Sequence, residues 1–204
     1  MMRHLTIEEL QTWDRFTRAH LINSMSGFKS ASLVATVNEQ GVPNLAIFSN
    51  IVHLGADPAL IGMVNRPREA APHTIANIEA TGVYTINLFT QQHIKAAHQT
   101  SAKYAEGVSE FEAVGFTPEW HSASKAPFVK ESPVKYALVL KEIIPIIWNR
   151  TFFIIGEVQH IMVEESLLQP DGFLALEQQG IVTSLGMDAY YTTTLKERLK
   201  YAKP

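Results

Sequence analysis

The chain has 204 residues, enough to bury a core without disulfide or metal staples. It contains no cysteine, which excludes disulfides, Cys-ligated zinc or iron–sulfur centres and thiol nucleophiles. A net charge of −3 with no long basic run argues against nucleic acid as a partner, and 46% hydrophobic with 18% charged residues is the balance of an ordinary globular protein.

In chain order, the N-terminus lacks the apolar run of a secretory signal, so the chain reads as cytoplasmic. A helix is expected over 6–23: Thr6 and Glu9 make a capping box, and Leu10, Trp13, Phe16, Thr17, His20 and Leu21 recur at helical spacing. A strand at 32–38 turns at Glu39-Gln40-Gly41 into a second strand over 42–50, a hairpin, whose apolar run at 45–52 carries on beyond it. Asp57-Pro58 breaks the chain before a strand at 60–64. After the Asn65-Arg66-Pro67 turn, Pro72, His73 and Thr74 open a helix over 74–80 that turns Ile75 and Ile78 inward and stops at Gly82.

A strand follows at 83–88, then a helix at 91–100 and a long loop at 101–124 with one helical turn near 110–114. Strands at 135–144 and 151–163 are joined by a turn at 145–150. A short helix at 171–179, a turn-rich stretch from Gly180 and a basic amphipathic tail over 195–204 complete the chain. The greasiest run, 137–156, is broken by Lys141, Glu142, Pro145, Asn149 and Arg150, so no membrane span is expected. Without repeats or low-complexity linkers, 1–204 reads as one domain. Five or six strands interrupted by short peripheral helices argue for a mainly β, antiparallel Greek-key barrel and against an alternating α/β sheet.

Several chemistries fall away. GxGxxG, the Walker loop and the GxSxG elbow are absent. His93 and His98 are five apart, the wrong spacing for a metal pair on one helical face, so no metal site is expected. Glu164-Glu165 and the Glu110/Glu112 pair read as solvated surface, no acid–base dyad stands out, and no catalytic side chain is assigned.

The turn after residue 64 is different. A helix start leaves backbone N–H groups unpaired and carries partial positive charge, which stabilises a phosphate. Thr74 adds a hydroxyl, and Arg66 a planar fork able to hold two phosphate oxygens, so a phosphorylated ligand fits. The same residues also fit a plain helix cap and a solvated loop arginine.

The ordered motifs NLA-x-FS at 44–49, DP at 57–58, Arg66-Pro67, HTIANI at 73–78 and G-x-Y-x-INL at 82–88 continue through TSAKYAEGVSEFEAVGFTPEW at 100–120, KAPFVKESPV at 125–134 and FFIIGEVQHI at 152–161. Together, over 27–191, they resemble the flavin reductase-like, FMN-binding split-barrel family, which includes flavoredoxin and the reductase partners of two-component flavin monooxygenases. The resemblance implies a split β-barrel that forms a homodimer and binds FMN, with NADH or NADPH as co-substrate and free flavin or a partner oxygenase as electron acceptor.

It also implies roles for residues. Ser49, Asn50 and Ile51 would face the flavin ring, although Ser49 and Asn50 also suit a plain strand-end turn. Asn65, Arg66, His73 and Thr74 would surround the phosphate and ribityl chain. Ser101, Ala102 and Lys103 would close over the cofactor, and Tyr190 and Tyr191 would lie toward the nicotinamide, unless they are core or interface aromatics.

Four departures from the family pattern matter. Asn65-Arg66-Pro67 stands for a Gly-Arg-Arg turn and His73 for a lysine, which concentrates the positive charge on Arg66. Lys103 replaces an aspartate, where a cation would favour the anionic reduced ring. Met187 replaces a glycine in 185–191, narrowing the space above the ring. The implied activity is an NAD(P)H-dependent flavin reductase. The alternatives are a non-catalytic, flavoredoxin-like electron carrier and, apart from the resemblance, a barrel for an apolar ligand.

Overall fold

The structure, a computed structural model, describes residues 1–105 and 107–203. The helix expected over 6–23 is two helices, α1 (Ile7–Thr12) and α2 (Arg15–Ser24). The Thr6 hydroxyl caps α1 by accepting from the Glu9 N–H, as expected. Asp14 then accepts from the N–H groups of Phe16 and Thr17 and starts a second helix. A cap residue needs extended backbone, so the helical spacing runs through a break it does not reveal. No residue of α2 is buried.

After β1 (Lys29–Ser30), β2 (Ser32–Val37) and β3 (Pro43–Phe48) form the expected hairpin. Its turn is closed by the Asn38 side chain, which accepts from Gln40 and Val42 N–H, with Gly41 at φ 82. β4 (Ile51–Ala56) and β5 (Ala59–Asn65) make a second hairpin around Asp57-Pro58. The apolar run at 45–52 is therefore two strands, separated at Ser49-Asn50.

α3 (Pro72–Thr81) ends at Gly82, in the left-handed conformation that favours glycine, and β6 (Val83–Leu88) follows. The helix expected at 91–100 is a 3-10 turn, Gln91–His93, leading into α4 (Ile94–Gln99). The expected loop contains α5 (Glu110–Val114) and a hairpin of β7 (Pro118–His121) and β8 (Ser124–Val129).

β9 (Val134–Ile146) and β10 (Thr151–Val163) form a long arm. The segment 171–179 holds only a 3-10 turn, Leu176–Gln179. Where turns alone were expected, β11 (Val182–Leu185) and β12 (Ala189–Thr192) pair. The tail from 193 to 203 has no regular structure.

Among the described residues, seven strands form one antiparallel sheet in the order β3-β2-β6-β9-β10-β5-β4. Laid flat, it would be about 29 Å wide. Yet its two edge strands are consecutive in the chain, and the link from Phe48 to Ile51 reaches about 11 Å at most. The sheet must therefore roll into a barrel with an unpaired seam between β3 and β4. The connection through α3 carries the chain back to lay β6 beside β2, a Greek-key return.

β2 is buried on both faces, which explains its unbroken apolar run. Inside the barrel, Val34, Met63, Tyr84, Ile86, Leu138 and Ile154 pack with Ile75 and Ile78 of α3, which plugs the interior. Outside it, Leu33, Ala35 and Leu45 pack against Phe89, Phe111 and Val129. Each fully buried side chain of this size contributes about 1.5–3 kcal/mol. No helix among the described residues is long and apolar enough to cross a membrane.

Candidate functional site

A cleft of about 390 Å³ lies along the seam, within the range of small-molecule sites. One wall is β3, from Asn44 to Phe48, continued by Ser49 and Asn50. Because the Leu45 N–H points away from β2, to Glu110, strand alternation turns the main-chain N–H and C=O of Ile47 the same way, into the cleft.

The start of α3 forms the second wall. Two amide-to-hydroxyl pairs pin this helix to the β2–β3 hairpin: Asn77 Nδ2 donates to Thr36 Oγ1 at 3.0 Å and Asn44 Nδ2 to Thr74 Oγ1 at 3.4 Å. The helix begins at Ala71 with Pro72 in its first turn and no capping side chain. Ala71, Pro72, His73 and Thr74 all line the cleft; Pro72 has no N–H, so His73 and Thr74 carry the first helical N–H groups at the cleft, with no side chain capping them.

Charge is distributed unevenly in the adjoining turn. Arg68 is committed to structure: its Nη1 donates to Glu79 at 2.7 Å and its guanidinium lies 4.8 Å from the Phe152 ring centre. Arg68 in turn holds the Glu79 carboxyl below its ordinary value. Arg66 is exposed, lines the cleft, and makes no ion pair among the described residues.

The third wall comes from the end of α4, where His98, Thr100, Ser101, Ala102, Lys103 and Tyr104 reach the cleft within the same chain. β11 and β12 contribute Ser184, Gly186, Met187 and Tyr190. Of the residues named from sequence, the cleft thus gathers Ser49, Asn50, Arg66, His73, Thr74, Ser101, Ala102, Lys103 and Tyr190.

Three stand apart. Ile51 packs against the barrel core. Asn65 is fully buried, and its amide donates to the Arg66 carbonyl at 2.8 Å, so it shapes the turn from beneath. Tyr191 points to the opposite side of β12 from Tyr190 and packs edge-on against Phe28.

Sequence reading missed Asn44, His98 and Glu110. The last corrects an expectation: Glu110 is 7% exposed and lines the cleft, not a solvated surface. His98 and His93 part ways, one bonded to Tyr190 and the other to the Thr90 hydroxyl. Among the described residues, no cluster of three or more His, Cys, Asp or Glu is placed to hold a metal ion.

Comparison with known proteins agrees with this architecture. A split-barrel crystal structure from Shewanella frigidimarina, to which flavin reductase function is ascribed, is 47% identical, with a TM-score of 0.95 over 98% of this chain and 100% of its own. Nitrilotriacetate monooxygenase component B from Bacillus cereus gives 0.85 at 21% identity, covering 98% and 99%. Flavoredoxin of Desulfovibrio vulgaris gives 0.73 at 24%, covering 86% and 91%. At those two lower identities the likeness is one of fold; the split-barrel domain of the Shewanella structure identifies the rolled sheet as a split β-barrel. The sequence pattern of the flavin reductase like domain matches residues 25–183, and the chain belongs to that family.

Proposed function

We propose that the chain works as one domain that binds FMN noncovalently in the seam cleft and acts as an NAD(P)H-dependent flavin reductase. The observation that carries this reading is the uncapped start of α3, which faces the cleft beside the exposed Arg66. It supplies an anion site at a cleft whose opposite wall is an open strand edge. The N–H and C=O of Ile47 offer that edge a donor and an acceptor side by side, which suits the alternating groups of a flavin's pyrimidine rim.

When bound, FMN supplies the hydride-accepting chemistry. The protein's part is placement. Arg66, His73 and Thr74 hold the phosphate, the β3 edge with Ser49 and Asn50 orients the ring, and the 101–103 loop keeps water from one side. Lys103 is an exposed cation on that loop. Electrons then pass to free flavin or to a partner oxygenase in the cytoplasm.

The protein is further proposed to work as a homodimer. Support comes from apolar surface that a single copy leaves open: Phe16 on α2 is 69% exposed, and Ile147 and Trp148 at the tip of the β9–β10 arm are 76% and 92% exposed.

One observation favours a second reading, an electron carrier reduced by another protein. Met187 lines the cleft next to Tyr190, where a nicotinamide would stack. Anaerobic titration of the FMN-loaded protein with NADH and with NADPH separates the two. Bleaching of the flavin colour by either is expected. A bound flavin indifferent to both would leave the carrier reading, and a protein that retains no flavin would overturn both.

A further inference from the structure

Glu110 is the least expected member of the cleft wall. It opens α5, is 7% exposed, and one carboxylate oxygen accepts the Leu45 N–H at 3.1 Å. Among the described residues no Lys, Arg or His pairs with it, and its second oxygen, which is not enclosed by protein atoms, makes no hydrogen bond and is open to the cleft. A carboxylate can accept about four hydrogen bonds, so with one donor from the protein this one keeps acceptor capacity to spare. The residue lines the cleft, which leaves that capacity to a ligand.

We propose that Glu110 is a specificity-determining residue that accepts hydrogen bonds from the ribityl hydroxyls of the flavin; this rests on the FMN reading above. A carboxylate repels a phosphate and the carbonyl oxygens of the ring, so it must face a neutral donor. A flavin has two kinds, the ribityl hydroxyls and the ring N3–H. Glu110 is bonded at Leu45, next to Asn44, and Asn44 donates to Thr74 in the first turn of α3, where the phosphate is held. The ribityl chain is the part of FMN attached to the phosphate, whereas N3–H lies on the far side of the ring. Glu110 therefore selects flavins that carry a hydroxylated chain.

The test compares the binding of FMN, riboflavin and lumiflavin, whose ring bears a methyl group in place of the chain, to the unmodified protein and to Glu110→Gln. Glutamine keeps an oxygen for the Leu45 N–H and replaces the second acceptor with a donor. FMN and riboflavin are expected to bind about tenfold or more weakly to the variant, with lumiflavin changed less than about twofold. A parallel loss for lumiflavin would mean that Glu110 only props β3, and unchanged riboflavin binding would also overturn the proposal.

Should the variant not fold, the unmodified protein still decides. Riboflavin is expected to outbind a flavin carrying a plain pentyl chain by about tenfold, and equal binding sinks the idea. If the unmodified protein takes up none of these flavins, the FMN reading itself fails and this inference with it.

Discussion

His98 and Tyr190, 92 positions apart in the chain, meet across the cleft with Nδ1 2.9 Å from the phenol oxygen and their rings at 89°. The contact ties the end of α4 to β12. Burial, and secondarily the Asp188 carboxylate, raises the Tyr190 phenol above its ordinary value, so it stays un-ionised at neutral pH. On the reductase reading, Tyr190→Phe raises KM for the nicotinamide about fivefold while FMN affinity stays within about twofold. Steady-state kinetics beside a fluorescence titration checks this; an equal loss on both would place Tyr190 with the flavin instead.

Arg66 lines the cleft and makes no ion pair among the described residues, whereas Arg68, in the same turn, is paired with Glu79. Arg66→Ala is expected to weaken FMN binding by more than about tenfold and leave riboflavin, which has no phosphate, nearly unchanged. Unaltered FMN affinity would move the phosphate elsewhere.

Inside the barrel, the Tyr84 hydroxyl is buried without a hydrogen-bond partner, and it occupies the space a side chain at Gly156 would need. Gly156→Ala should therefore cost about 1–3 kcal/mol by overpacking, whereas Tyr84→Phe should be neutral or stabilising by about 1 kcal/mol. The two are coupled: in urea unfolding, Tyr84→Phe recovers part of the loss caused by Gly156→Ala. Strict additivity would contradict the contact.

Burial raises the phenols of Tyr84, Tyr136 and Tyr190 above the ordinary 10.0. A folded-state value above the unfolded one leaves stability intact below pH 10 and erodes it as pH rises further, because the unfolded chain releases those protons first. Alkaline titration followed by phenolate absorbance should show two of the six tyrosines, the buried Tyr84 and Tyr136, ionising only together with unfolding, while Tyr190, which lines the cleft, ionises late but in the native state. Six tyrosines titrating freely while the far-ultraviolet dichroism stays native would refute this.

At the tip of the β9–β10 arm, Ile147 and Trp148 are exposed on a turn where Arg150 adopts φ 60. If this tip joins two copies, Trp148→Asp shifts the mass seen by light scattering from dimer to monomer without unfolding the barrel. A persistent dimer would assign the tip to some other use.

Some of this was plain in the sequence because local signals and tertiary demands agreed. Gly82 fixes both the end of α3 and the start of β6, and β10 runs from Thr151 to Val163 as its apolar stretch indicates. The break at Ser49-Asn50 was hidden, since an apolar run looks alike whether it is one strand or two on opposite edges of a rolled sheet.

β7, β11 and β12, at four residues each, are too short for a clear periodic signal. β8 is held from a distance, with Val129 N–H donating to Asn87 Oδ1 and Thr85 Oγ1 to the Pro127 carbonyl. Arg66 and Thr74 announced themselves by residue type beside a helix start. Glu110 did not, because only a partner 65 positions away shows that it is buried.

The seam leaves the main chain of β3 unpaired on one side at Ile47, a row of groups ready to accept a strand from another molecule. A ligand lying against that edge also shields it, so protein purified without flavin should be the more prone to edge-to-edge aggregation. Filling the cleft thus serves solubility as well as chemistry.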